Sequence, residues 1–103
     1  KGLELLHAHI LDQASPHVRF SNHQDTEENR PRGARRADRE VVYTVVLKLN
    51  RGGDSAMRIL GCEDVVYASE PATGIVFLSE LWHRTLRASA GTLKLTLFFG
   101  RWN

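Results

Sequence analysis

Hydrophobic positions in this chain fall in short runs rich in Val, Ile, Leu and Thr, separated by turn-forming residues, a pattern that predicts strands. The strongest run is Glu40 to Asn50, nearly continuous through Val41, Val42, Tyr43, Val45, Val46, Leu47 and Leu49. Arg51-Gly52-Gly53-Asp54 follows as a turn, because Gly-Gly supplies positive φ at little cost. Met57 to Leu60 and Val65 to Ala68 read as short strands around Gly61. Pro71 to Gly74 turns the chain into Ile75-Val76-Phe77-Leu78, and His83 to Ala88 follows. In Thr92 to Gly100, Leu93, Leu95 and Leu97 face one way and Lys94, Thr96 and Phe98 the other. Leu3 to Leu11 fits a helix face or a strand equally well. His17 to Asp25 alternates, with Arg19, Ser21, His23 and Asp25 opposite Val18 and Phe20. Seven or eight short strands without a long helix predict an all-β, two-sheet jelly roll.

A length of 103 residues predicts one domain with a single core. The chain opens on Lys and no signal-peptide pattern follows, so it is expected to be one segment of a longer protein. No apolar run is long enough to cross a bilayer. The single cysteine, Cys62, excludes an internal disulfide and reads as a buried, inert thiol, which favours an intracellular setting. A net charge of +2 does not by itself argue for nucleic acid. The positive charge is clustered, however. Arg30, Arg32, Arg35, Arg36 and Arg39 fall in a stretch of ten residues. Most of them lie in Thr26 to Asp38, which has no aliphatic side chain larger than Ala and is expected to be a mobile loop.

Candidate chemistry centres on His23-Gln24-Asp25, with His83 far downstream and Lys94 eleven positions later. His and Asp two residues apart on a strand share a face. A His from a distant strand would complete two imidazoles and one carboxylate, the set that holds non-haem Fe(II) and leaves open positions. Alone, His-x-Asp is a weak signal that reads more simply as two solvated polar residues before a loop. Lys94 faces either solvent, where a Lys protects an edge strand, or a functional interior, where a bound carboxylate would compensate its charge and Thr96 could share that carboxylate.

Taken in order, His23-Gln24-Asp25, Arg39, Tyr43, Leu49-Asn50-Arg51-Gly52-Gly53-Asp54-Ser55, Gly74-Ile75-Val76-Phe77, His83-Arg84, Gly91 and Lys94-Leu95-Thr96 resemble a family. The pattern is similar to the double-stranded β-helix core of the Fe(II)/2-oxoglutarate dioxygenases, particularly the prolyl 4-hydroxylase-like branch. It covers most of the chain, from about residue 5 to Phe99. The resemblance implies that His23, Asp25 and His83 ligate iron. It implies that Lys94 pairs with the distal carboxylate of 2-oxoglutarate, with Thr96 and Tyr43 as hydrogen-bonding partners. It further implies oxidative decarboxylation of 2-oxoglutarate to succinate and CO₂, coupled to hydroxylation of a C–H bond on a protein or peptide side chain, with ascorbate a candidate accessory. Family members carry helices that cover the larger sheet. Such helices are largely absent here, so Leu93, Leu95 and Leu97 are expected to need a partner or flanking sequence.

Other residues read more blandly. His7 and His9 lack the following Glu that a cupin needs and read as structural or surface residues, and His17 has no evident partner. Trp82 is expected beside the site, and Trp102 to close the core or mark a boundary. The arginine-rich stretch reads as a solvated loop, or as a rim for an acidic peptide or a phosphate backbone. The rival functions are a non-catalytic jelly-roll binding module and an oxygenase of nucleobases or small metabolites. Nucleic acid draws little support, since that stretch has no interleaved aromatics.

Overall fold

The computed structural model describes residues 2–12, 21–30, 32–51, 55–61, 65–67, 73–88 and 91–103. The Gly52-Gly53 turn, Cys62, the turn opening at Pro71, and His17 with the alternation to Phe20 lie outside the described residues. Seven strands run in chain order: β1 (Glu4–Asp12), β2 (Arg39–Lys48), β3 (Ser55–Ile59), β4 (Val65–Tyr67), β5 (Gly74–Leu78), β6 (His83–Ala88) and β7 (Leu93–Trp102). They form two open antiparallel sheets ordered β1-β7-β2-β5 and β4-β3-β6. The all-β expectation therefore holds, and the ambiguous N-terminal segment is a strand. Among the described residues, helix is confined to the 3₁₀ turns Glu27–Asn29 and Arg32–Ala34, and no helix is long and apolar enough to cross a membrane.

Alternation decides which residues meet between the sheets. On β2 the buried positions are Arg39, Val41, Thr44, Val46 and Lys48. The step from odd to even numbers occurs at a bulge between Val41 and Tyr43, where an extra residue reverses the facing of everything after it. Gly100 sits opposite this bulge. A Cβ there would lie 1.9 Å from the Glu40 carbonyl oxygen, so only glycine permits the approach. A second bulge between Leu5 and His7 sets β1 so that His7, His9 and Leu11 oppose Phe98, Thr96 and Lys94 on β7. β7 is thus an inner strand, which removes the edge-strand reading of Lys94.

The core is small. Val46 and Phe77 from the larger sheet pack with Met57 and Ile59 from the smaller, and Ile75 and Leu81 flank them. Positive φ at Gly61 (88°) and Gly91 (82°) turns the chain after β3 and before β7, a conformation that disfavours side chains with a Cβ. The outer face of the larger sheet is apolar from edge to edge, through the row Ala8, Leu97, Val45 and Val76 and the row Ile10, Leu95 and Leu47. Leu93, Leu95 and Leu97 are half-buried by their lateral neighbours. On the edge strands Ile10 and Val76 are each 63% exposed.

Candidate metal centre

His23 enters the site through an isolated bridge to His83, with each backbone N–H donating to the other's carbonyl at 2.9 Å. This antiparallel pair sets the two imidazoles side by side, their ring centroids 4.3 Å apart. Asp25 is fixed two residues on by its own N–H, which donates to the Ser79 carbonyl at 2.9 Å. His23, Asp25 and His83 each offer a ligand atom, and these atoms lie within 4.8 Å of one another. The structure therefore brings the expected triad together.

The orientation of both rings is set from behind. His23 Nδ1 lies 2.9 Å from the Ser21 carbonyl oxygen, and His83 Nδ1 lies 2.9 Å from the Leu81 carbonyl oxygen. A carbonyl only accepts, so each Nδ1 carries a proton and each ring turns its Nε2 inward. The inward atoms face Asp25, with His83 Nε2 3.2 Å from Oδ2 and His23 Nε2 3.6 Å from Oδ1. Each inward Nε2 can carry a proton donated to the carboxylate or, deprotonated, share a cation with it. This donor set, two borderline nitrogens and one hard oxygen, suits a divalent transition metal such as Fe(II). Backbone carbonyls behind the ligating histidines are the usual outer support of such a centre.

Asp25 is further held by Thr44, whose Oγ1 donates to Oδ2 at 3.0 Å and pairs with Ser79 Oγ at 2.8 Å. Burial works against ionisation of Asp25, yet the hydrogen bond and charge of His83, the charge of His23 and the Thr44 hydroxyl together hold its pKa below the usual carboxylate value. Phe77 packs edge-on against His83 with centroids 4.6 Å apart.

A cavity of about 530 Å³ opens on the triad and is also lined by Lys94 and Thr96. Lys94 is only 3% exposed, and burial lowers its pKa from 10.5 to about 8. Thr96 is buried two residues along the same face. Tyr43 is a correction. The bulge turns it to the outer face, where it is 38% exposed and does not line the cavity, so it is no cosubstrate ligand. His7 and His9 also line the cavity, beside Phe98, with His7 exposed and His9 half-buried. Among the described residues His9 Nδ1 is buried without a hydrogen-bond partner. Burial, and then His7, lower the pKa of His9 against the opposing pull of Asp25. Trp82 is exposed and does not line the cavity, and Trp102 lies on the surface under Arg36.

The expected mobile loop is organised around a buried carboxylate. Glu27 accepts from Arg39 Nε at 3.0 Å, from the Arg36 backbone N–H at 2.8 Å and from Arg30 Nη1 at 3.3 Å. Burial opposes its ionisation, and these donors and charges outweigh it, so its pKa falls below the ordinary value. Sequence reasoning missed Thr44, Ser79, Glu27 and Lys48. Lys48 is fully buried opposite Lys94 and donates to the Asn50 carbonyl. Only the parity of β2 could have exposed Thr44 and Lys48, and the bulge hid it.

No family model, no curated protein and no solved structure matches the chain. The case for its function therefore rests on this geometry.

Proposed function

We propose that the chain is an Fe(II)- and 2-oxoglutarate-dependent oxygenase domain of double-stranded β-helix (jelly-roll) architecture, hydroxylating a C–H bond on a protein or peptide side chain. The observation that carries the reading is the meeting, in one cavity, of a carbonyl-oriented His23–Asp25–His83 triad and the buried ammonium of Lys94. The strand orders β1-β7-β2-β5 and β4-β3-β6, with the His23 segment bridged beside β6 in place of an eighth strand, support the jelly-roll reading.

His23 Nε2, His83 Nε2 and an Asp25 oxygen would hold the metal. When bound, iron supplies activation of dioxygen coupled to the decarboxylation of 2-oxoglutarate to succinate and CO₂. The chain's own residues do the positioning. Lys94 pairs with the far carboxylate of the cosubstrate, which offsets the burial of its ammonium, while the Thr96 hydroxyl donates to the same group. Thr44 keeps the Asp25 carboxylate from rotating. Val46 and Met57 on the cavity wall keep water from the reacting atoms.

The test is turnover of 2-oxoglutarate by the Fe(II)-loaded chain in air, read as succinate. Succinate formation that depends on iron and disappears in Lys94→Ala and His83→Ala is expected. Iron and 2-oxoglutarate binding without any succinate, with or without peptide, would favour a non-catalytic binding module.

A further inference from the structure

Arg39 is 7% exposed and lines the same cavity as the triad, yet only its Nε–H is committed, to Glu27. Among the described residues its two terminal nitrogens, Nη1 and Nη2, make no hydrogen bond. Arg30, also on the cavity wall, engages Glu27 through Nη1 alone. Arg30 and Arg39 share the single carboxylate of Glu27, so the group keeps one positive charge. The Arg39 terminal nitrogens are not among the fully buried unsatisfied atoms, so they are accessible from the cavity and available to an anion.

The cosubstrate at Lys94 cannot be that anion. Lys94 pairs with Lys48 at one end of β2, and Arg39 stands nine residues away at the other. At roughly 3.3 Å per residue this is about 30 Å along the strand, several times the length of 2-oxoglutarate. Thr44, which holds Asp25, lies between them, five residues or roughly 16 Å along the strand from Arg39. An extended peptide of about five residues spans that distance.

We propose that Arg39, assisted by Arg30, binds a carboxylate of an acidic peptide substrate whose oxidised residue lies within about five positions. This rests on the oxygenase reading of the triad and names its substrate class. The planar fork of Arg39 suits a carboxylate held by two parallel N–H groups. A polyanion such as nucleic acid fits poorly, because Glu28 and Glu80 line the adjoining cavity that Arg36 and Arg39 also line, beside a Glu40 already paired with Arg101. One isolated carboxylate meets Arg39 without approaching that acidic group. Among the described residues the aromatic that meets this arginine group is Trp102, and Arg36 covers it, its Cζ 5.3 Å from the ring centroid.

The test is binding of fluorescent capped peptides to the protein loaded with Mn(II) and 2-oxoglutarate. One pool carries a single Glu within about five positions of a randomised residue in a Gly/Ser background; the control carries Gln, and a single-stranded oligothymidine serves as a polyanion. Glu peptides are expected to bind about tenfold more tightly than Gln peptides. Arg39→Lys keeps a charge for Glu27 but loses the fork, and should erase that preference while leaving Mn(II) and 2-oxoglutarate affinity unchanged. Arg30→Gln, on the half-buried rim, should reduce it severalfold and serves if Arg39→Lys does not fold. Equal binding of Glu and Gln peptides, or tighter binding of oligothymidine than of either, overturns the proposal. Glu preference without any metal or 2-oxoglutarate binding would refute the oxygenase reading and leave the carboxylate site standing.

Discussion

Lys94 is the residue whose environment says most about occupancy. Its pKa of about 8 against an ordinary 10.5 means the folded, ligand-free chain holds a proton there less tightly than the unfolded chain. Below pH 8 both states are charged and the burial penalty is full. Between about pH 8 and 10.5 the unfolded chain binds the proton and the folded chain does not, so stability rises with pH across that window. The rise should be roughly 3 kcal/mol, measured by urea unfolding, and Lys94→Met should abolish it. A flat profile in the parent chain would mean that Lys94 is not desolvated. Binding of 2-oxoglutarate needs the charged form, so its affinity should be constant below pH 8 and fall above it. Lys94→Ala should weaken 2-oxoglutarate at least tenfold and leave metal affinity within about twofold. His83→Ala should do the reverse, costing 100-fold or more in metal binding.

At the scale of elements, the arginine-rich stretch and β2 show where a sequence can and cannot be read. That Lys94 and Thr96 share a face was legible because Leu93, Leu95 and Leu97 alternate with them cleanly, whereas the choice between solvent and interior was not. Tyr43 was misread because the near-continuous apolar run from Val41 to Leu47 carries no mark of the bulge that reverses its parity. Thr44 escaped for the same reason. The Glu27–Arg39 pair spans twelve residues and forms only when the stretch folds over the cavity, which no local pattern encodes. Glu27→Gln should therefore cost about 3 kcal/mol by leaving Arg39 without its carboxylate. It should also make residues 26–38 cleave faster under limited proteolysis, while wild type resists. Equal cleavage of the two proteins would restore the expectation of a mobile loop.

At the scale of the molecule, the two faces of the larger sheet have opposite characters. The inner face carries Thr44, Lys94, Thr96 and His9 and builds the cavity, while the outer face is a continuous apolar surface with Ile10 and Val76 at its margins. A sheet with one face this apolar and exposed tends to associate. The double substitution Ile10→Lys and Val76→Lys should raise solubility and shift light scattering toward monomer, with metal and 2-oxoglutarate binding unchanged. Unchanged scattering would show that the face is already covered. The all-β class was legible from the spacing of short β-branched runs, and the triad from His23-x-Asp25 with a distant His83. Which strands are neighbours was not, because pairing depends on contacts remote in sequence.

The central claim, that the triad and Lys94 serve one metal and one dicarboxylate together, is tested most directly by anaerobic titration. Fe(II) is added to the chain, then 2-oxoglutarate, and the visible spectrum is followed for the weak charge-transfer band of a chelated 2-oxo acid. The account predicts a band that needs both additions, saturates at one equivalent of each, and is absent in His83→Ala. Binding of iron with no band at any 2-oxoglutarate concentration, or a band that survives His83→Ala unchanged, would contradict it.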